Sequence, residues 1–202
     1  MVMGELANRG EAMIVPEGFN KQVSSILNAA RDKAYTAINF TMVEAYWEIG
    51  KSILEEQGGE ERAVYGEALI DELAVRPTRD FGKGFNTRNL RYMRQFYLAF
   101  PIRNALRSEL SWTHYRRLMR IPDSEARTWY MNECADSRWS TRQLERQINT
   151  MFRERLLASK DKETVAQEIQ KSAPARRPED IIRDPYVLEF LGFSDDAAFR
   201  ES

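Results

Sequence analysis

The sequence predicts an all-α fold: a long N-terminal helix followed by a multi-helix bundle with helix-turn-helix-like units. Three observations carry that expectation. Apolar residues recur at helical spacing along most of the chain, and no stretch shows the alternating period of a strand. Prolines and paired glycines fall between the periodic stretches. Asn86 and Ser140 stand where side chains can satisfy the first free backbone N–H groups of a helix. With 202 residues, 43% hydrophobic and 11% aromatic, the chain has enough apolar material to bury a core and does not read as a disordered polymer.

Residues 1–18 read as a short flexible leader, without the basic start and apolar run of a signal peptide. From 19 to about 57, Val23, Ile26, Leu27, Ala30, Ala34, Ile38, Met42, Ala45, Tyr46, Ile49 and Ile53 follow the i, i+3, i+4, i+7 rule of one amphipathic face. At about 1.5 Å per residue such a helix reaches on the order of 55 Å, so it must kink, pair with another chain or act as a spine. Gly58-Gly59 supplies a stop. A second helix is expected over 61–74, with Leu69, Ile70 and Leu73 inward and Pro77 ending it. After the bend at Gly82 and Gly84 comes a helix over 87–100. Its Leu90, Met93, Phe96, Tyr97 and Phe100 lie on one side, Arg88, Arg91 and Gln95 on the other, and Arg94 at the flank. A short helix follows Ser111, with Trp112, Tyr115, Leu118 and Met119 inward, and another covers 124–136. Ser140 and Gln143 have the spacing of a capping box, and Trp139 and Leu144 that of a hydrophobic staple, at the start of a last long helix over 140–156. Residues 158–183 read as a charged linker with a possible short helix at 163–171, and 184–202 as the entry to a further domain.

Charge is unevenly distributed. Residues 76–120 hold eleven basic and two acidic side chains, a local +9 in a chain whose total is −1. Ten of the eleven are arginine, whose planar, multi-donor head suits phosphate, so the window is the footprint of a polyanion site or else a solvated basic face. The candidate nucleic-acid contacts are Arg79, Lys83, Arg88, Arg91, Arg94, Gln95, Arg116, Arg117 and Arg120, joined by Thr141, Arg142 and Arg146 at the start of the last helix.

Two helix-turn-helix pairings compete. One joins 61–74 to 87–100 through a connector longer than the usual three or four residues; the other joins 124–136 to 140–156 through Ser137-Arg138-Trp139. Gly82-Lys83-Gly84 either cradles a backbone phosphate or simply permits a turn, and its spacing is not that of a nucleotide-hydrolysing loop. The single His114 has no companion for a metal and reads as structural or as a phosphate contact; the single Cys134 reads as a buried thiol. The acidic pairs Glu55/Glu56, Glu60/Glu61 and Asp195/Asp196 sit at helix ends or tails, where they look solvated. No nucleophile–base pair, metal cluster or cofactor motif assembles, so no catalytic residue, metal ligand, cofactor or small-molecule substrate is expected.

The strings YGEALIDELA (65–74), FGKGFNTRNLRYMRQFYLAFP (81–101), LSWTHYRRLMRI (110–121), ARTWYMNECA (126–135) and WSTRQLERQI (139–148), with AYWEIGKSI (45–53) before them, resemble the N-terminal helical domain of YhcG-type proteins. The resemblance covers about 19–156, and the DPYVLEFLGF segment resembles the junction beyond it. It implies a helical DNA-binding module normally followed by a PD-(D/E)xK nuclease domain, whose catalytic residues have no counterpart here. The expectation is therefore a DNA-binding module at 19–157 that contacts phosphates through an arginine-rich helical face. The alternative is an interaction domain that pairs with a second copy through the long N-terminal helix. No run of about 18 apolar residues occurs, so no membrane span is expected, and a cytoplasmic location is the simplest reading.

Overall fold

The computed structural model describes residues 16–58 and 63–159, excluding the side chains of 63–67. The leader up to residue 15, the linker from 160, the possible helix at 163–171 and the apolar end at 184–202 lie outside the described residues. Within them every regular element is helical: α1 (Glu17–Glu56), α2 (Ala63–Leu73), α3 (Val75–Phe81), α4 (Thr87–Ala99), α5 (Trp112–Leu118), α6 (Ser124–Asp136), α7 (Thr141–Asn149) and α8 (Phe152–Ala158). Short 3-10 turns stand at Lys83–Phe85 and Arg103–Ala105. No helix among these is long and apolar enough to cross a membrane.

Two compact units divide the chain between Tyr35 and Thr36. In the first, the described residues form the opening of α1, where Phe19, Val23, Ile26 and Leu27 are all exposed. The second holds the core, and there the apolar stripe of α1 is used: Met42, Val43, Tyr46, Trp47 and Ile53 are buried. Gly50 is the point of closest approach to α4. A Cβ at that position would stand 2.0 Å from the carbonyl oxygen of Met93, so only glycine lets the two backbones pack at this distance. Trp47 adds a buried hydrogen bond at the same crossing, its indole Nε1 donating to the carbonyl of Phe100 at 2.7 Å and so satisfying a backbone acceptor just past α4.

Leu90, Met93 and Phe96 seal the inner face of α4, as their spacing predicts. Phe96 and Trp112 meet edge to face with centroids 5.4 Å apart, and Phe100 and Tyr115 do so at 5.3 Å, which joins α4 to α5 through aromatic packing. Asn86 caps α4 by accepting from the Asn89 N–H at 3.0 Å.

Three expectations need correction. Pro77 does not end a helix; it is the third residue of α3, in a first turn whose N–H groups have no helical acceptor anyway. The connector from 75 to 86 is therefore itself helical, and the pairing of 61–74 with 87–100 is not a two-helix unit. The last helix does not run unbroken over 140–156. Met151 takes the left-handed conformation (φ 50) between α7 and α8. That turn buries Phe152 against Trp129 and Trp139, at centroid distances of 5.6 and 6.0 Å. Burying a phenylalanine contributes on the order of 2 kcal/mol, enough to offset one strained residue. The i, i+4 spacing of Ile148, Phe152 and Leu156 continues across the break, and so concealed it.

Candidate nucleic-acid interface

The basic face is built on α4, α5 and α7, which are packed side by side through contacts of α5 with each of the other two. Its centre is Tyr92. This half-buried ring on α4 is approached by Arg88 from its own helix, 5.9 Å from guanidinium carbon to ring centroid, and by Arg116 from α5, at 4.6 Å. Hydrogen bonds from Arg88 and then from Arg116 hold the Tyr92 phenol below the ordinary tyrosine range. Neither arginine has a carboxylate partner among the described residues. Two cations from different helices thus converge on one ring without being neutralised. Two forked donors in this setting are suited to share one phosphate.

The remaining candidates sort by their partners. Arg120 is exposed just beyond α5, Arg142 in the first turn of α7, and Lys83 before α4, none with a carboxylate partner among the described residues. Gln95 is exposed on the same side of α4 as Arg88. Arg94 is half-buried, and its backbone nitrogen lies 3.2 Å from where a Cβ at Gly50 would stand, next to α1. Arg79 pairs with Asp80 at 2.7 Å, and Arg91 reaches Asp71 on α2 at 3.4 Å. Arg117 pairs with Glu145 at 2.6 Å, tying α5 to α7. Thr141 is half-buried and Arg146 exposed on α7.

The glycine turn and the histidine each have a structural role. Gly82 has φ 97 and ψ 179, a conformation reserved for glycine, and the carbonyl of Gly84 accepts from the side chain of buried Asn89 at 3.1 Å. His114 is buried: its Nδ1 accepts from the Ser111 N–H at 3.1 Å and its Nε2 donates to the Trp139 carbonyl at 3.0 Å. It closes the start of α5 and fixes the turn before α7 at once. The capping box of Ser140 and Gln143 is present in both directions, at 3.3 and 2.7 Å. Among the described residues no three His, Cys, Asp or Glu side chains gather as metal ligands. Tyr92 was missed by sequence reasoning. Its spacing from Arg88, one helical turn, was the available signal.

Comparison with known proteins now bears on the whole arrangement. Residues 22–155 match the family model described as the DUF1016 N-terminal domain. The chain is also similar to the Escherichia coli (strain K12) protein named "Putative nuclease YhcG", with 37% identity over 207 residues. That similarity covers 85% of this chain and 54% of the relative, so the chain spans about half the length of the protein it matches. No solved structure matches significantly.

Proposed function

The chain belongs to the DUF1016 N-terminal domain family, and we propose that here the domain binds DNA, holding backbone phosphates on α4 and α5. The observation that carries this reading is the convergence of Arg88 and Arg116 on Tyr92 with no carboxylate partner among the described residues. Like charge left unneutralised at one place on a domain's surface repels itself, which a bound polyanion relieves. Arg120 extends the same face, while Arg142, Thr141 and Arg146 at α7 supply the side chains nearest to a recognition helix. Phosphate contacts then give most of the affinity, and base-edge contacts from α7 give limited sequence preference. The name of the relative suggests the wider setting: this domain is the binding half of a nuclease whose cleavage chemistry is carried by another domain.

The test is a fluorescence-anisotropy titration with duplex and single-stranded DNA at two salt concentrations. The expected result is duplex binding whose logarithm falls with log salt at a slope of roughly −0.9 per phosphate neutralised. Absence of binding at about 50 mM salt, where such contacts are strongest, removes the reading.

A further inference from the structure

A second feature is independent of the basic face. Between α1, α2 and α3 runs an apolar groove of about 610 Å³, floored by Ile49 and Ile53 and walled by Leu69, Leu73, Pro77 and Phe81. Leu73 and Phe81 stand at its mouth, 39% and 50% exposed. The carboxylate-bearing Glu48 and Glu56 also line it, Glu48 meeting Arg103 at 3.0 Å. The chain carries a surface of the complementary kind. In the first unit of the chain, Phe19, Val23, Ile26 and Leu27 are 57%, 38%, 61% and 63% exposed. Their i, i+4, i+7, i+8 spacing is that of an amphipathic helix that lays anchors into a groove. At about 100° per residue, Arg31 and Lys33 border this stripe, one on each side, while Glu17, Lys21 and Asp32 fall on the far side. Cations therefore flank the stripe, and the exposed carboxylate of Glu56 flanks the groove.

We infer that the groove between α1, α2 and α3 receives the Phe19–Leu27 stripe of a second copy of this chain, in a reciprocal dimer. Each copy offers one stripe and one groove, and a two-fold axis lets both contacts form within one dimer. Arg31 and Lys33 of the incoming helix meet exposed Glu56 at the groove edge, Glu48 being already paired with Arg103. The occupant is a copy of the same chain because an exposed apolar helical stripe bordered by cations and an apolar groove bordered by Glu56 lie on one sequence.

The test uses the whole chain in size-exclusion chromatography with light scattering, with circular dichroism as the check on helicity. Wild type is expected to run as a dimer. Ile26→Asp/Leu27→Asp, in the stripe, and Leu73→Asp/Phe81→Asp, in the groove, are each expected to raise the dimer Kd at least about tenfold at unchanged helicity. Should the groove pair lose helicity, Leu73→Asp alone carries the same test. An equimolar mixture of the two variants is decisive, because one intact stripe and one intact groove remain between them: a heterodimer is expected at raised concentration. A monomeric wild type overturns the inference, as does a groove variant that stays dimeric, which would mean that stripe pairs with stripe. A mixture that yields no heterodimer overturns it as well.

Discussion

Two sets of arginines within the same basic stretch do opposite things. Arg103, on the 3-10 turn after α4, reaches Glu44 and Glu48 of α1, both at 3.0 Å. Arg107 reaches Asp136 at the end of α6 and Glu109 beside it. These guanidiniums are staples. Arg88 and Arg116 lie in the same stretch, yet both approach the Tyr92 ring and neither has a carboxylate partner among the described residues. The carboxylates of the staples come mainly from outside the basic window: Glu44, Glu48 and Asp136, together with Asp71 and Glu145 for Arg91 and Arg117. The acidic excess of the rest of the chain thus folds back onto part of the window. What is left over is a smaller and more localised positive face than the local charge of +9 suggests. Charge count alone does not make an interface; charge without a partner does.

The sharpest way to break this comparison is to remove the unpaired set. Arg88→Ala/Arg116→Ala is expected to weaken duplex binding by roughly ten- to hundredfold and to flatten the salt slope by about two, with unchanged thermal unfolding. Binding that survives with the same slope would show that these arginines do not face the nucleic acid. A subtler test moves one residue from one set to the other. Glu145→Gln takes the carboxylate from Arg117 and leaves a third cation beside Arg116, so binding should tighten severalfold and the slope steepen by about one. Arg107→Ala does the reverse: it removes a staple. Because its partners Asp136 and Glu109 are well exposed, the loss of stability is at most about 1 kcal/mol, or about 2–4 °C in Tm, and DNA affinity should not change. A Tm that holds while binding falls would place Arg107 in the interface instead.

What was legible in the sequence follows the range of the forces involved. Helix starts depend on side chains a few residues apart, so Asn86 was found as a cap and Ser140 with its partner Gln143. The inner face of α4 was found because the helical period places Leu90, Met93 and Phe96 together. The break at Met151 was not, because it is driven by the packing of Phe152 on Trp129 and Trp139, a tertiary gain invisible to a local pattern. Ala74 to Phe81 was misread for a related reason: a proline forbids the interior of a helix but not its first turn, and only the fold shows which of these it occupies. At the candidate site the arginines were legible as a set, but their sorting was not. Arg117 and Glu145 are 28 residues apart, and Arg103 and Glu44 are 59 apart. Pairing over such distances is set by topology.

Tyr92 offers the smallest effect and the finest discrimination. Hydrogen bonds from Arg88 and Arg116 lower its pKa in the folded chain, so its ionised form is favoured by folding. A group depressed in this way contributes stability that is present above its unfolded pKa, about 10, and is lost as pH falls through the folded value. Raising the pH toward 10 therefore adds a little stability from this residue. The same ionisation has the opposite consequence for binding, since a phenolate between the two guanidiniums takes the place a phosphate would occupy. DNA affinity should fall as the pH rises from neutral toward 10, and Tyr92→Phe should abolish that part of the fall. Because other groups titrate in this range, the quantity to measure is the difference between wild type and Tyr92→Phe in parallel titrations and melts. A packing role alone would make the two proteins differ in Tm equally at every pH. A role at the centre of an anion site makes the difference in affinity grow with pH while the difference in Tm moves in favour of wild type.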